Sequence, residues 1–214
     1  MSGKDKTYNG IFISFEGIDG CGKTTQSRAL QEYFRSKGRE AVLTLEPGGT
    51  LIGTRIREVL LQPEHKEMSP VTELLLYNAA RAQHIAEKIL PELKKGTVVI
   101  TDRFTDSTTA YQGYGRGMDL SLINSINDIA TNGIKPDLTI LLDLDPEAGL
   151  GRNKSVNKVD RFELEALAFH QKVRKGFLEI AGMERERFEL IDASLPVGEV
   201  SKKIAGMVNN RYGV

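Results

Sequence analysis

Apolar residues along this chain fall into short runs, separated by longer stretches in which they recur every three or four positions. Ile11-Phe-Ile-Ser-Phe15, Ala41-Val-Leu-Thr-Leu45, Thr97-Val-Val-Ile-Thr101, Leu138-Thr-Ile-Leu-Leu-Asp143 and Phe188-Glu-Leu-Ile-Asp192 are rich in β-branched or large apolar side chains. Continuous apolar runs of this kind suit strands buried on both faces. Thr25 to Ser36 instead places Ala29, Leu30, Tyr33 and Phe34 on one helical face and ends at Lys37-Gly38, a helix stop. Further helices are predicted over about Leu51 to Leu61, Pro70 to Leu90, Leu120 to Thr131, Glu163 to Ala181 and Val197 to Asn209. Strands separated by helices predict an α/β fold of three layers, a parallel sheet of about five strands with helices on both faces. In such folds the polar groups that carry chemistry collect at the carboxyl ends of the strands. Here those ends read Glu16, Glu46-Pro47-Gly48-Gly49-Thr50, Asp102-Arg103, Asp143 and Asp192.

Composition narrows the class. A chain of 214 residues, 40% hydrophobic and 27% charged, is expected to form one domain over residues 1–214, since nothing in it resembles an interdomain linker or a repeat. Lys plus Arg and Asp plus Glu both total 29, so there is no overall field to attract nucleic acid, and any positive charge must act locally. The polar first ten residues and the lack of an apolar run of about 20 residues lead us to expect a cytoplasmic protein without a membrane partner. Cys21 is the single cysteine and excludes an internal disulfide. His65, His84 and His170 share no metal-ligand spacing, so no zinc site is expected.

The first strand runs directly into Gly17-Ile18-Asp19-Gly20-Cys21-Gly22-Lys23-Thr24-Thr25. The pattern Gly-x4-Gly-Lys-Thr between a strand and a helix is a phosphate loop, whose backbone N–H groups and helix N-terminus converge on phosphate. Lys23 is expected to reach the β- and γ-phosphates of ATP, and the Thr24 hydroxyl to ligate Mg2+. Asp102, at the end of the third strand, is placed to hold the ion's water shell, and Asp192 is grouped with the nucleotide site. Cys21 reads as a small side chain tolerated in the loop, the alternative being a thiolate favoured by the helix N-terminus. Asn157-Lys158-Val159-Asp160 has the form of a guanine-reading motif. It follows a polar, basic stretch rather than a buried strand, and no strand ends in Asp-x-x-Gly, so a GTP switch is disfavoured.

Asp102-Arg103-Phe104-Thr-Asp-Ser-Thr108-Thr-Ala-Tyr111-Gln112-Gly113, with Glu46-Pro-Gly-Gly-Thr50, Tyr77-Asn-Ala-Ala-Arg81 and Asp160-Arg161, resembles the thymidylate (dTMP) kinase family over almost the whole chain. The resemblance implies transfer of the γ-phosphoryl of ATP to dTMP. It further implies that Asp19 holds the sugar 3′-hydroxyl, that Arg57 and Arg103 grip the acceptor phosphate, and that Glu46 and Pro47 line the acceptor site, Pro47 where relatives often carry a cis peptide. Tyr77 stands at the thymine-stacking position in place of the commoner Phe, with Arg81, Thr108 and Gln112 as base contacts and Tyr111 beneath the sugar. Phe104 replaces the usual Tyr or His. Relatives are commonly homodimers, which the resemblance extends to this chain.

Arg152-Asn-Lys154-Ser-Val-Asn-Lys158-Val-Asp-Arg161 sets four cations within ten residues and is read as a lid over about residues 151–161. Similar proteins carry the catalytic arginine either in the phosphate loop or in this lid. With Gly20 in the loop, Arg152 is the expected catalytic cation alongside Lys23, Arg103 and Asp102. A deoxynucleoside kinase, the alternative within enzymes, needs a carboxylate base near a hydroxyl, whereas paired arginines suit an acceptor that already carries phosphate.

Overall fold

In the computed structural model, residues 8–154 and 161–214 are described. Five strands, β1 (Ile11–Glu16), β2 (Ala41–Leu45), β3 (Val98–Asp102), β4 (Leu138–Asp143) and β5 (Phe188–Asp192), form one parallel sheet in the order β2-β3-β1-β4-β5. Central β1, β3 and β4 are buried almost throughout, while the edge strands β2 and β5 are partly exposed. That division follows from position, because an edge strand has a neighbour on one side only. Phe15 pairs with Asp102 across β1 and β3, so the turns leaving these strands lie side by side.

The helices are α1 (Lys23–Ser36), α2 (Leu51–Leu61), α3 (Pro70–His84), α4 (Leu90–Lys94), α5 (Thr105–Thr108), α6 (Leu120–Thr131), α7 (Pro146–Lys154), α8 (Leu167–Met183) and α9 (Val197–Tyr212). A wide π-helical turn, Ile85–Ile89, joins α3 to α4, so the stretch expected to end near Leu90 continues to Lys94. A second, Thr109–Gly115, continues α5. Pro70 opens α3, where a missing N–H costs nothing, and the Ser69 hydroxyl accepts from Thr72 N–H as its cap. The C-terminal stretch expected from Glu163 begins instead at Leu167, because Glu163 and Leu164 lie in a turn, Glu165 in a bend, and Ala166 is extended.

Period-two alternation along β1 sends its side chains to opposite faces. Ile13 and Phe15 join the main core with Leu30 and Phe34 of α1 and Val200 and Ile204 of α9. Phe12 faces the other way, into a second cluster with Ile85, Ile89, Leu93, Val99 and Phe104. Glu16 shares that second face, which aims its carboxylate at the turn after β3 rather than at solvent. Among the described residues no helix is long and apolar enough to cross a membrane.

Candidate functional site

The phosphate loop folds back over the start of α1. Lys23 Nζ donates to the Gly17 and Ile18 carbonyls at 3.1 and 2.8 Å, and lies 3.6 Å from Cys21 Sγ. Thr24 Oγ1 donates to Asp102 Oδ2 at 2.6 Å, so the two groups expected at a metal ion meet across β1 and β3. A hydroxyl and a carboxylate are hard oxygen donors of the kind Mg2+ takes, one or two at a time. A wide, open cleft lies here, walled by Asp19, Gly20, Gly22, Lys23, Thr24, Thr25, Asp102 and Arg152. Ile18 and Cys21 turn away into the core. Burial pushes the Cys21 thiol pKa up, with Lys23 opposing, which fits a packing residue rather than a reactive thiolate. Asp192 does not reach the cleft. Its carboxylate turns back to accept from Ser194 N–H and hydroxyl at 2.9 and 2.6 Å, the ordinary local closure of an Asp at a strand end.

Arg152 leans over the loop from α7, its guanidinium 3.4 Å from the Gly20 carbonyl and 3.2 Å from that of Ala193. Two glycines let α7 come so close. A Cβ on Gly20 would lie 2.2 Å from the Gly149 carbonyl oxygen, and one on Gly149 would lie 2.5 Å from that of Asp19. Gly20 also holds φ 77°, where a side chain is strained. An arginine at position 20 is therefore incompatible with this placement of α7.

After β3 the chain turns sharply at Arg103, which has φ 76°. Its Nη1 donates to the Gly17 carbonyl (3.0 Å) and the Ser107 hydroxyl (2.9 Å), and its Nη2 to Asp19 Oδ1 (2.8 Å) and the Tyr111 hydroxyl (3.2 Å). Tyr111 in turn donates to Asp19 Oδ2 at 2.8 Å. Glu16 secures the turn from beneath, accepting from Phe104 N–H at 2.7 Å and from the Ser107 hydroxyl at 2.6 Å. Burial, then the nearby Asp106, push its pKa up to about 8, while the Ser107 hydrogen bond and Arg103 pull it down. The Phe104 side chain packs edge-on to Phe12 with centroids 4.9 Å apart, so an apolar ring at this position anchors the turn.

A second, narrower cleft adjoins the first and is lined by all ten residues expected around the acceptor, namely Asp19, Glu46, Pro47, Arg57, Tyr77, Arg81, Arg103, Thr108, Tyr111 and Gln112. The Glu46–Pro47 peptide is cis, and the Pro47 carbonyl accepts from Arg57 at 2.8 Å. Glu46 is engaged by Arg81 Nε (2.8 Å) and His84 Nδ1 (3.0 Å), with His84 Nε2 2.6 Å from the Thr44 hydroxyl. Arg81 is 1% exposed and also donates to Asn78, Asn127 and the Phe104 carbonyl. Four of its five N–H groups are thus committed among the described residues, leaving one for the cleft. Tyr77 packs 6.3 Å from Phe162, and burial, with Glu73 next, pushes its phenol pKa well up. Thr108 Oγ1 is buried with no hydrogen-bond partner among the described residues.

Phe104, read from the sequence as standing where relatives carry Tyr or His, also lines this cleft, as do Leu61, Ser107 and Phe162, with Arg28 in the larger one, and these last four are not among the residues expected to line the site. Arg28 had a usable signal, standing one helical turn after Thr24. Of the four cations read as a lid, Arg161 is buried and pairs with Glu73 at 2.5 Å, while its Nε donates to the Leu60 carbonyl. It is an anchor rather than a free lid cation. Residues 155–160, with Lys158 and the Asn-Lys-x-Asp pattern, lie outside the described residues.

A family model described as Thymidylate kinase matches residues 15–204. A thymidylate kinase of Geobacter sulfurreducens is 49% identical over 208 residues, covering 94% of this chain and 98% of that protein. One of Carboxydothermus hydrogenoformans is 48% identical over 204 residues, covering 95% and 99%. The crystal structure of a thymidylate kinase from Ehrlichia chaffeensis superposes with a TM-score of 0.77 at 36% identity, covering 94% of this chain and 99% of that one.

Proposed function

The chain belongs to the thymidylate kinase family, and on that premise we propose that its two joined clefts hold the two substrates of one phosphoryl transfer. It phosphorylates dTMP to dTDP, with ATP as co-substrate. In our reading ATP lies on the phosphate loop and dTMP in the smaller cleft. The observation that carries this assignment is the shared wall, since Asp19, Glu46, Arg57 and Arg103 line both clefts. A phosphoryl group passing between the two would cross that wall.

The acceptor phosphate, with a second pKa of about 6, is already ionised at neutral pH and needs no base. The obstacle is charge repulsion, each pair of unit charges about 4 Å apart contributing about 4 kcal/mol at an effective dielectric of 20. Arg57 and Arg103 on the shared wall and Lys23 and Arg152 on the phosphate side supply fixed positive charge at the junction. Thr24 and Asp102 would hold Mg2+, which when bound neutralises charge on the β- and γ-oxygens. The Arg103–Asp19–Tyr111 triangle locks the Tyr111 ring in place, so it can exclude a ribose 2′-hydroxyl, while Asp19 receives the 3′-hydroxyl. Thr108, buried without a partner among the described residues, needs a ligand atom to complete it. Asp19 and Glu46 are both ion-paired, which disfavours either as the free base that a nucleoside kinase requires.

We extend the same reading to a homodimer in the cytoplasm, built on the exposed apolar side of α2 and α3. The test of the central reading is ADP release with ATP and a panel of dTMP, dUMP, UMP, dCMP and thymidine. dTMP should turn over fastest, with dUMP behind by a modest factor, because one methyl group contributes about 1 to 3 kcal/mol. Thymidine turning over faster than dTMP would overturn it.

A further inference from the structure

Glu73 lies on α3 behind the acceptor cleft, 1% exposed and absent from its lining. Its Oε1 accepts from Gln112 Nε2 at 2.7 Å and Arg116 Nε at 3.3 Å, and its Oε2 lies 3.3 Å from Arg116 Nη2 and 2.5 Å from Arg161 Nη2. Arg116 is paired on its other side with Glu165. The two arginines and two glutamates already balance in charge. The bond to Gln112 is therefore not needed for neutrality, and its consequence is geometric.

A carboxylate held by two guanidinium groups accepts hydrogen bonds and cannot donate them. An amide facing it has one acceptable orientation, with the nitrogen toward Glu73. Gln112 Oε1 is then left for the cleft, where no described residue donates to it. The same wall offers the N–H of Arg81 and the Thr108 hydroxyl that no described residue engages, the hydroxyl one helical turn before Gln112. It presents one fixed donor, one fixed acceptor and a hydroxyl able to be either. An imide base such as thymine or uracil offers a ring N–H flanked by carbonyls, which this set satisfies. An aminopyrimidine reverses two of those groups, setting a ring nitrogen lone pair against Gln112 Oε1 and an amino group against Arg81. A flipped Gln112 would accommodate it, but would turn Oε1 onto the Glu73 carboxylate.

We propose that Glu73 sets the base specificity of the acceptor site, pinning Gln112 Nε2 so that Gln112 Oε1 reads an imide N–H and rejects an aminopyrimidine. Glu73 is a positioning residue, acting through Gln112 and never touching substrate. The inference rests on dTMP occupying the smaller cleft, and that premise is checked separately by the turnover of dTMP by the unaltered enzyme.

The experiment compares kcat and KM for dTMP, dUMP and dCMP, with ATP saturating, in Glu73→Gln, Glu73→Asp and the swap Glu73→Gln/Gln112→Glu. With Gln at 73 the amide at 112 is free to flip, so the preference for dTMP over dCMP should fall at least tenfold. The fall should appear mainly in KM, with kcat for dTMP held within a few fold and the dTMP to dUMP ratio unchanged. Glu73→Asp keeps the charge facing both arginines but draws the carboxylate back from Gln112, and should shift discrimination in the same direction by less, which guards against a variant that fails to fold. The swap restores a donor facing an acceptor-only group and should recover the imide preference. Unchanged discrimination in Glu73→Asp and a folded Glu73→Gln, or an equal loss of kcat/KM for all three nucleotides, overturns the proposal. No turnover of dTMP by the unaltered enzyme overturns instead the reading beneath it.

Discussion

Glu16 shows how one buried side chain can shape both a turn and a pH response. Its carboxyl receives Phe104 N–H and the Ser107 hydroxyl, and Ser107 in turn accepts from Arg103, so a line of hydrogen bonds runs from the end of β1 to the strained residue on the shared wall. Burial first, then Asp106, raise its pKa from 4.5 to about 8, against the pull of Ser107, Arg103 and Phe104 N–H. A raised folded-state pKa means that the folded chain holds a proton the unfolded chain has released between those values. The contribution is fully present below pH 4.5 and is lost as pH rises through about 8. Denaturant melts of the unaltered protein should therefore show stability falling from about pH 5 to about pH 8, and Glu16→Gln should flatten that slope. Parallel slopes in the two proteins would assign the titration elsewhere. Glu16 was visible in the sequence as a strand-end carboxylate. Glu73 was not, because an acidic residue in the first turn of a helix reads as an ordinary dipole partner and only the fold brings Gln112, Arg116 and Arg161 to it.

At the scale of elements, the apolar pattern marked most of the framework, with β2, β4, β5, α2 and α6 lying where it placed them. It marked no helix over Thr105 to Gly115, and the reason is physical. That segment buries Asp106, Tyr111 and Gln112 against partners from other elements and turns Thr108 into the cleft, so its inward face is polar and carries no amphipathic signal. The contact between α7 and the phosphate loop was likewise hidden, because Gly149 has no chemistry of its own. Its consequence is testable. In Gly149→Ala the added carbon meets the Asp19 carbonyl at 2.5 Å, so α7 must move off the loop and carry Arg152 with it. We expect kcat to fall at least tenfold with the KM for dTMP within about twofold, as for Arg152→Ala, and the double variant to lose little beyond either single change. Additive losses in steady-state kinetics would show that the two residues act independently.

For the whole molecule, α2 joins the catalytic centre to an apolar surface. One side of the helix carries Arg57 into both clefts. The other side exposes Leu51 at 75%, Ile52 at 52% and Val59 at 43%, which with Ile56 and Leu76 of α3 line a shallow groove, and Val71 and Leu75 of α3 are also exposed. Apolar surface of this extent on adjoining helices marks an interaction site, and a two-fold axis would place the same groove on both partners, so that one substitution acts twice. The occupant we expect is a second copy of this chain. Sedimentation of the unaltered protein should give twice the 23.7 kDa chain mass, and Ile52→Glu, burying two unpaired carboxylates near the axis, should give the chain mass alone. Because α2 then loses its support on the far side, Arg57 should be held less firmly and the KM for dTMP should rise severalfold in the monomeric variant, with the KM for ATP little changed. Sedimentation of the unaltered protein at the single-chain mass would remove the dimer. A monomeric Ile52→Glu protein with unaltered KM for dTMP would instead keep the dimer and sever it from the site, leaving the loop at cis-Pro47, whose carbonyl accepts from Arg57, as the sole support of that arginine among the described residues.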